Sequence, residues 1–439
     1  MNGRERSRAR PARRVAVIGA GWAGLAAAVT LAEGGAQVTV IEASRFLGGR
    51  ARRVELDGIA LDNGQHILIG AYTETLRLMR LVGVDPDRVL SRLPLELRTA
   101  DGFRLKAVAL PAPLHLLGGL LMAKGLDLRE RLLAAQLVAR LHRDRYRLAS
   151  DETVAALLAR HGQTGKLRAS LWDPLCVSAL NTPAERASAQ VFANVLRDTF
   201  SGGRAASDLL LPRTDLGTLF PEPAANWLAT CGGEILLAAP VRGVQRSERA
   251  FVLNGGGSAR MYDRVIIACA PRHAAALLVG HERLTLLAAQ LEALAFEPIH
   301  TVYLRYPERV SLPFPMLGFT GGLLQWAFDR GALTGERGLV AGVLSASGRH
   351  EALSHPDLAA AIHAELAAHL PLPSPSWTRV IAERRATFSC TPGLERPAAE
   401  TPLPGLLLAG DYTEGDYPAT LESAVRSGVA AARLAMEHG

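Results

Sequence analysis

The 439-residue chain is poor in several of the residue patterns that usually announce chemistry. Its four cysteines, at 176, 231, 269 and 390, are scattered without a CxxC pair. That excludes a disulfide framework and a thiolate metal knot, and leaves reduced thiols in a cytoplasmic protein as the simplest reading. Its twelve histidines show no HxxxH or HExxH spacing, so no metal is expected. Aromatic residues make up 5% of the chain, and no basic patch is interleaved with them, which argues against nucleic acid as a partner. No run of eighteen or more uncharged apolar residues marks a membrane span. Residues 107–123 come closest, but Pro111, Pro113, Gly118 and Gly119 interrupt them. There is no internal repeat and no long low-complexity linker. The formal charge of +7 owes much to Arg4, Arg6, Arg8, Arg10, Arg13 and Arg14, and residues 1–12 read as a disordered, solvated arm.

What is present is more telling. Val15-Ala16-Val17-Ile18-Gly19-Ala20-Gly21-Trp22-Ala23-Gly24, then a helical run, then Gln37-Val38-Thr39-Val40-Ile41-Glu42 spell strand, glycine turn, helix, strand and acid. Such a unit binds a dinucleotide. Gly19 permits the tight turn, Gly21 lets backbone approach a pyrophosphate, Gly24 lets helix and strand pack closely, and Glu42 accepts from a ribose hydroxyl. The same run explains why residues 15–31, behind a basic arm, only imitate a signal peptide.

After Glu42 come Ala43-Ser44-Arg45-Phe46-Leu47-Gly48-Gly49-Arg50, a second glycine pair followed by an arginine. This stretch resembles flavoproteins of the amine oxidase and phytoene desaturase superfamily, where it wraps the pyrophosphate. The resemblance implies FAD, held by Gly19, Gly21, Trp22, Ala23, Gly24, Glu42, Ala43, Gly49 and Arg50. Two later pieces match. Gly405-Leu406-Leu407-Leu408-Ala409-Gly410-Asp411 is a buried strand ending in Gly-Asp, and Thr420 and Leu421 open a helix expected to run to about residue 437. The resemblance implies that Gly410 and Asp411 meet the ribityl or pyrophosphate region, while the helix N-terminus faces the flavin, where its dipole stabilises a reduced, anionic ring. Residues 231–244 resemble the strand whose backbone at Val241 contacts adenine, and residues 262–270 are expected to be its pairing partner.

The fold class expected is α/β: a discontinuous Rossmann-type FAD-binding domain from residues 13–95, 212–275 and 400–439, with a mixed helical and β-sheet substrate domain from 96–211 and 276–399. Residues 128–141 place leucines at helical spacing with arginines opposite. Thr301-Val302-Tyr303-Leu304 read as strand and residues 356–370 as helix. At 49% hydrophobic residues the chain can bury two cores.

Two inner segments are more specific. Leu61-Asp62-Asn63-Gly64-Gln65-His66-Ile67-Leu68-Ile69-Gly70-Ala71-Tyr72 and Trp172-Asp173-Pro174-Leu175-Cys176-Val177-Ser178-Ala179-Leu180-Asn181-Thr182-Pro183 resemble the hydroxysqualene dehydroxylase family of bacterial hopanoid synthesis, as do residues 195–198 and 206–213. The resemblance runs from about residue 13 to the end. It implies reductive removal of the hydroxyl of hydroxysqualene to give squalene, with hydride from reduced flavin N5 to an allylic carbon. Hydroxide is a poor leaving group, so a proton donor is needed. His66 is the first candidate, as an imidazolium near neutral pH, and Asp173 the second, if burial keeps it protonated. Asn63 and Gln65 would orient hydroxyl or flavin; Asp416 and Glu422 are weaker acid candidates. Trp172, Phe319, Trp326 and Phe328 are the aromatics available to a developing cation.

A long-chain isoprenoid also suggests peripheral docking on the inner face of the membrane through residues 110–121 and the basic arm. One dinucleotide unit leaves electron supply to a partner reductase or to NAD(P)H bound elsewhere. An oxidative desaturase or amine oxidase on the same scaffold, and a non-redox prenyl-binding escort protein, are the alternatives. Escorts of this fold lose the glycines and the acid, which are intact here.

Overall fold

The computed structural model describes residues 13–437, apart from residues 57, 249 and 256–259. The basic arm at 1–12 lies outside the described residues. Valines and isoleucines at residues 15–18 and 38–41 build two strands too apolar to face water on either side, Arg14–Ile18 and Gln37–Ile41. They form the middle of a five-stranded parallel sheet in the order Glu234–Leu236, Gln37–Ile41, Arg14–Ile18, Arg264–Ile267, Leu406–Leu408. Three distant stretches of chain therefore supply one sheet.

The first helix, Trp22–Glu33, is buried over nearly its whole length. Its Ala26-Ala27-Ala28 run explains how: small side chains let the C-terminal helix, Leu421–Glu437, lie against it, and a Cβ added at Gly428 would strike the carbonyl of Ala23. At Gly24 a Cβ would strike the carbonyl of Gly19, and at Gly19, whose φ is +109°, it would sit 2.8 Å from the oxygen of Ala268. The turn tolerates only glycine at both positions.

One expected pairing is not formed. Val241–Ser247 pairs with Ala250–Gly255, which in turn pairs with Met261–Tyr262. The chain then turns at Asp263, and Arg264–Ile267 joins the parallel sheet beside Arg14–Ile18. An intervening hairpin strand has taken the place of the direct partner.

A second, antiparallel sheet has the order Met316–Gly318, Trp326–Asp329, Leu339–Ser345, Phe296–Arg305, Trp377–Phe388. The helix His355–Ala367 packs on one face of it through Leu358, Ile362 and Leu366. Between the first and second thirds of the chain lies a helical layer of Leu114–Leu121, Leu128–Arg143, Val154–Arg160, Asp173–Leu180 and Ala189–Ser201. The helix Leu128–Arg143 starts on a reciprocal cap, Asp127 accepting from the Glu130 amide and Glu130 from that of Asp127. Among the described residues no helix is long and apolar enough to cross a membrane.

Candidate active site

The C-terminal ends of the parallel strands open into a cavity of about 1010 Å³ that continues over one face of the antiparallel sheet. It stands at the upper end of the ~300–1,000 Å³ usual for small-molecule sites. Gly19, Gly21, Trp22, Ala23, Glu42, Ala43, Gly49, Arg50, Val241, Gly410, Asp411, Thr420 and Leu421 all line it. Gly24 does not; its part is the helix–strand contact just described.

At the strand ends Glu42 accepts from the backbone amides of Ala20 and Ser44, each at 2.7 Å, so its carboxylate closes the glycine turn as well as facing the cavity. The two glycine pairs abut: Gly48 donates to the Ala20 carbonyl at 2.8 Å, and the first heavy atom a Cβ at Gly21 would meet is the Gly49 Cα, 3.9 Å away. That opening between two backbones is what a pyrophosphate needs. Arg50 spans both sheets, donating to the Ala386 carbonyl at 2.7 Å and pairing with Asp411 at 2.6 Å. Tyr412, next in sequence, also lines the cavity, and its buried hydroxyl has no hydrogen-bond partner among the described residues. A buried orphan polar atom on a cavity wall marks a place where a ligand completes the bonding. These residues fit a dinucleotide laid from Glu42, past Gly21 and Gly49, to the start of the C-terminal helix.

Residues 22–436 match the family model for flavin-containing amine oxidoreductases. The chain belongs to that family. FAD is its cofactor, and it is an oxidoreductase. Among curated relatives it is similar to hydroxysqualene dehydroxylase of Rhodopseudomonas palustris, 31% identical over 97% of this chain and 99% of that one. Hydroxysqualene dehydroxylase of Sinorhizobium fredii is 28% identical over 96% and 98%, and a zeta-carotene desaturase of Synechocystis 24% identical over 96% of each. Among solved structures, cyclohexylamine oxidase from Brevibacterium oxydans superposes with a TM-score of 0.73 at 20% identity, covering 97% of this chain and 99% of that one. A protein described as a putative protoporphyrinogen oxidase from Exiguobacterium gives 0.70 at 19%, with the same coverage. These two likenesses show the α/β flavoprotein fold alone.

The rest of the cavity is lined in part by residues of the inner segments. Asn63, Gln65 and His66 line it. Asn63 donates through Nδ2 to the Arg50 carbonyl at 3.0 Å and to Glu383 at 3.2 Å. Gln65 accepts from Arg330 at 3.4 Å. His66 is partly buried, and burial, helped by the positive charge of Arg50, pulls its pKa down to about 4. The imidazolium expected near neutral pH is therefore replaced by a neutral ring.

Asp173 does not reach the cavity. It opens the helix Asp173–Leu180 and is held by the Arg168 guanidinium at 2.9 and 3.1 Å. Burial raises its pKa, with Arg168 opposing. The same helix presents Val177, Ser178 and Ala179 to the cavity instead, one turn further on, and Asn181 just after it. Trp172 is core, donating to Gln163 at 2.8 Å and packing on Phe192; Phe319 is also outside, whereas Trp326 and Phe328 line the wall. Glu422 is buried as an anchor, accepting from the amides of Glu74 and Thr75 and paired with Arg426, and Asp416 is exposed beside Arg197. Neither lines the cavity.

Residue-by-residue reading missed Glu383 and Tyr412. Tyr412 stands beside Asp411 and was within reach of the Gly-Asp signal. Glu383 sits in the charged run Glu383-Arg384-Arg385, which reads as a solvated edge until the sheet turns alternate residues inward.

Proposed function

We propose that this flavoprotein removes the hydroxyl of hydroxysqualene reductively, giving squalene. The observation that carries the reading is the apolar wall continuous with the cofactor half, formed by Ile67, Val177, Ile299, Trp326, Phe328 and Val343. Such a wall suits a hydrocarbon. Full-length similarity to two hydroxysqualene dehydroxylases supports the same substrate.

FAD supplies the two-electron chemistry when bound; over the reaction a carbon–oxygen bond breaks, a carbon–hydrogen bond forms, and the departing hydroxide takes a proton and leaves as water. The chain's own residues must exclude solvent, orient the hydroxyl and deliver that proton. His66 and Gln65 stand on the loop that enters the cavity, with Asn63 and Glu383 hydrogen-bonded beside them. A neutral His66 orients the hydroxyl by hydrogen bonding, and donates fully only from the small cationic fraction. A partner reductase or NAD(P)H is proposed to return electrons.

The substrate's source is proposed to be an anionic bilayer. Six of the twelve exposed large apolar side chains among the described residues fall between positions 110 and 132: Leu110, Leu114, Leu121, Met122, Leu128 and Leu132. Lys124 and Arg129 are exposed within the same stretch, against one exposed acid, Asp127, and Lys106 is exposed just before it. An apolar patch with a basic rim suits an interface rich in anionic lipid.

The test is anaerobic incubation of dithionite-reduced holoprotein with hydroxysqualene and analysis of the product. Squalene with one flavin oxidised per turnover is expected. Conversion only of a carotenoid or an amine, with flavin reduction, would overturn the assignment.

A further inference from the structure

A second cavity, of about 390 Å³, lies behind the flavin site on the opposite face of the antiparallel sheet. The strand alternation puts it there. Ile299 and Glu383, paired across Phe296–Arg305 and Trp377–Phe388, line the flavin cavity, while the next pair, His300 and Ala382, lines the second one together with Arg384. His350 and Glu351, from the turn Arg349–Ala352, and Ser354 and His355, at the start of the thirteen-residue helix His355–Ala367, complete the wall.

Two features there are unexplained by folding alone. His300 and His350 are 8% and 5% exposed, with ring centroids 4.8 Å apart at 80°. His300 Nδ1 and His350 Nε2 have no hydrogen-bond partner among the described residues. Buried ring nitrogens are ordinarily satisfied, and two unpartnered ones on one cavity wall are placed to bond a ligand there. The remaining groups choose its sign. Arg384 carries a positive charge, and imidazoles become cationic when an anion compensates them; the N-terminus of the helix His355–Ala367 adds little, since Ser354 caps it and Asp357 stands in its first turn. Glu351 opposes, but its carboxylate already accepts from the Gly348 amide at 3.0 Å. Among the described residues no three His, Cys, Asp or Glu side chains converge as a metal site would require.

We propose that this cavity binds a small oxyanion of the phosphate class, held by His300, His350 and Arg384. Burial, and for His300 also its neighbours His350, His355 and Arg384, lowers the affinity of both rings for protons in the free protein, with Glu351 acting the other way. Binding of the anion therefore takes up protons, and affinity rises as pH falls.

Calorimetric titration of the FAD-loaded protein with inorganic phosphate and with pyrophosphate, at pH 6 and pH 8, tests this. Saturable binding is expected at pH 6, weaker by about tenfold at pH 8, with the two probes distinguishing a single phosphate from a diphosphate group. R384Q, a change at an exposed position, should weaken binding at pH 6 by about tenfold, and H350Q should do the same while flattening the pH dependence. Flavin absorbance, unchanged in both variants, shows that they are folded, and oxyanion binding is independent of whether hydroxysqualene is turned over. The proposal is overturned by three results: no saturation with either probe up to about 10 mM, wild-type affinity in both variants, or saturable heat with zinc chloride that H350Q abolishes.

Discussion

The guanidinium of Arg330, at the start of the short helix Arg330–Thr334 that follows the strand Trp326–Asp329, donates to the carboxylate of Asp62 at 3.0 Å with both side chains almost fully buried. Asp62 also accepts from the Leu216 amide at 2.9 Å, and its carbonyl accepts from the Tyr303 hydroxyl at the same distance. This network fixes the root of the loop that carries Asn63, Gln65 and His66 into the cavity. Burial raises the Asp62 pKa to about 6, although Arg330 pulls it down.

Arg330→Met should cost about 3–5 kcal/mol at pH 8, because a buried carboxylate loses its partner. The sign with pH follows from the raised pKa. The folded Asp62 is protonated below about 6, where it has no charge to leave unpaired, so the loss should shrink at pH 5 and grow as pH rises through 6. Urea unfolding of both proteins at the two pH values measures it. An equal loss at pH 5 and pH 8 would show that the charge on Asp62 is not the cause.

Gly21→Val and Gly24→Val should fail in different ways. A Cβ at Gly21 meets only the Gly49 Cα, at an ordinary contact distance of 3.9 Å, so that variant should fold with a normal unfolding transition and lack flavin absorbance. At Gly24 the Cβ strikes the Gly19 carbonyl, so expression of folded protein should be lost. Glu42→Ala should retain flavin more weakly, by about 1.5–3 kcal/mol for the lost charged hydrogen bond. Full flavin occupancy in Gly21→Val would remove the pyrophosphate from this turn.

His66→Ala should lower turnover with reduced flavin by roughly 10²–10⁴-fold if the ring delivers the proton. With its pKa near 4, about one ring in a thousand is cationic at pH 7. Wild-type turnover should then climb steadily as pH falls from 7 toward 5, and the Ala variant should lose that slope. Glu383→Gln should reduce turnover while leaving flavin bound, since it touches Asn63 inside the cavity. Asp173→Asn, which lies off the cavity wall and is held by Arg168, should stay within a few-fold of wild type. A dead Asp173→Asn beside an active His66→Ala would reverse these roles.

Replacing Leu114, Leu121, Met122 and Leu128 together by Gln should reduce sedimentation with vesicles containing anionic lipid, without loss of flavin. Added salt should weaken wild-type binding through the basic rim. Unchanged sedimentation would leave these side chains as exposed residues without a lipid role.

The cofactor half was legible in the sequence because its demands are local. A turn that admits only Gly19, an opening kept by Gly21, an acid one strand later and a helix start at Leu421 each follow from backbone geometry within a few residues, and all of them face one cavity. The apolar runs of the parallel strands were equally readable, since burial on both faces leaves no alternation to confuse with helix. What the antiparallel sheet contributes was not readable. Whether Glu383 lines the larger cavity and Arg384 the second one depends on register, and register comes from pairing with a strand some eighty residues earlier. The same long-range packing turned Asp173 to Arg168, buried Glu422 as an anchor, set Arg330 against Asp62 and held His66 neutral. Local chemistry specified the group that binds, while burial and charge brought together from distant segments decided which side chains can act on what it meets.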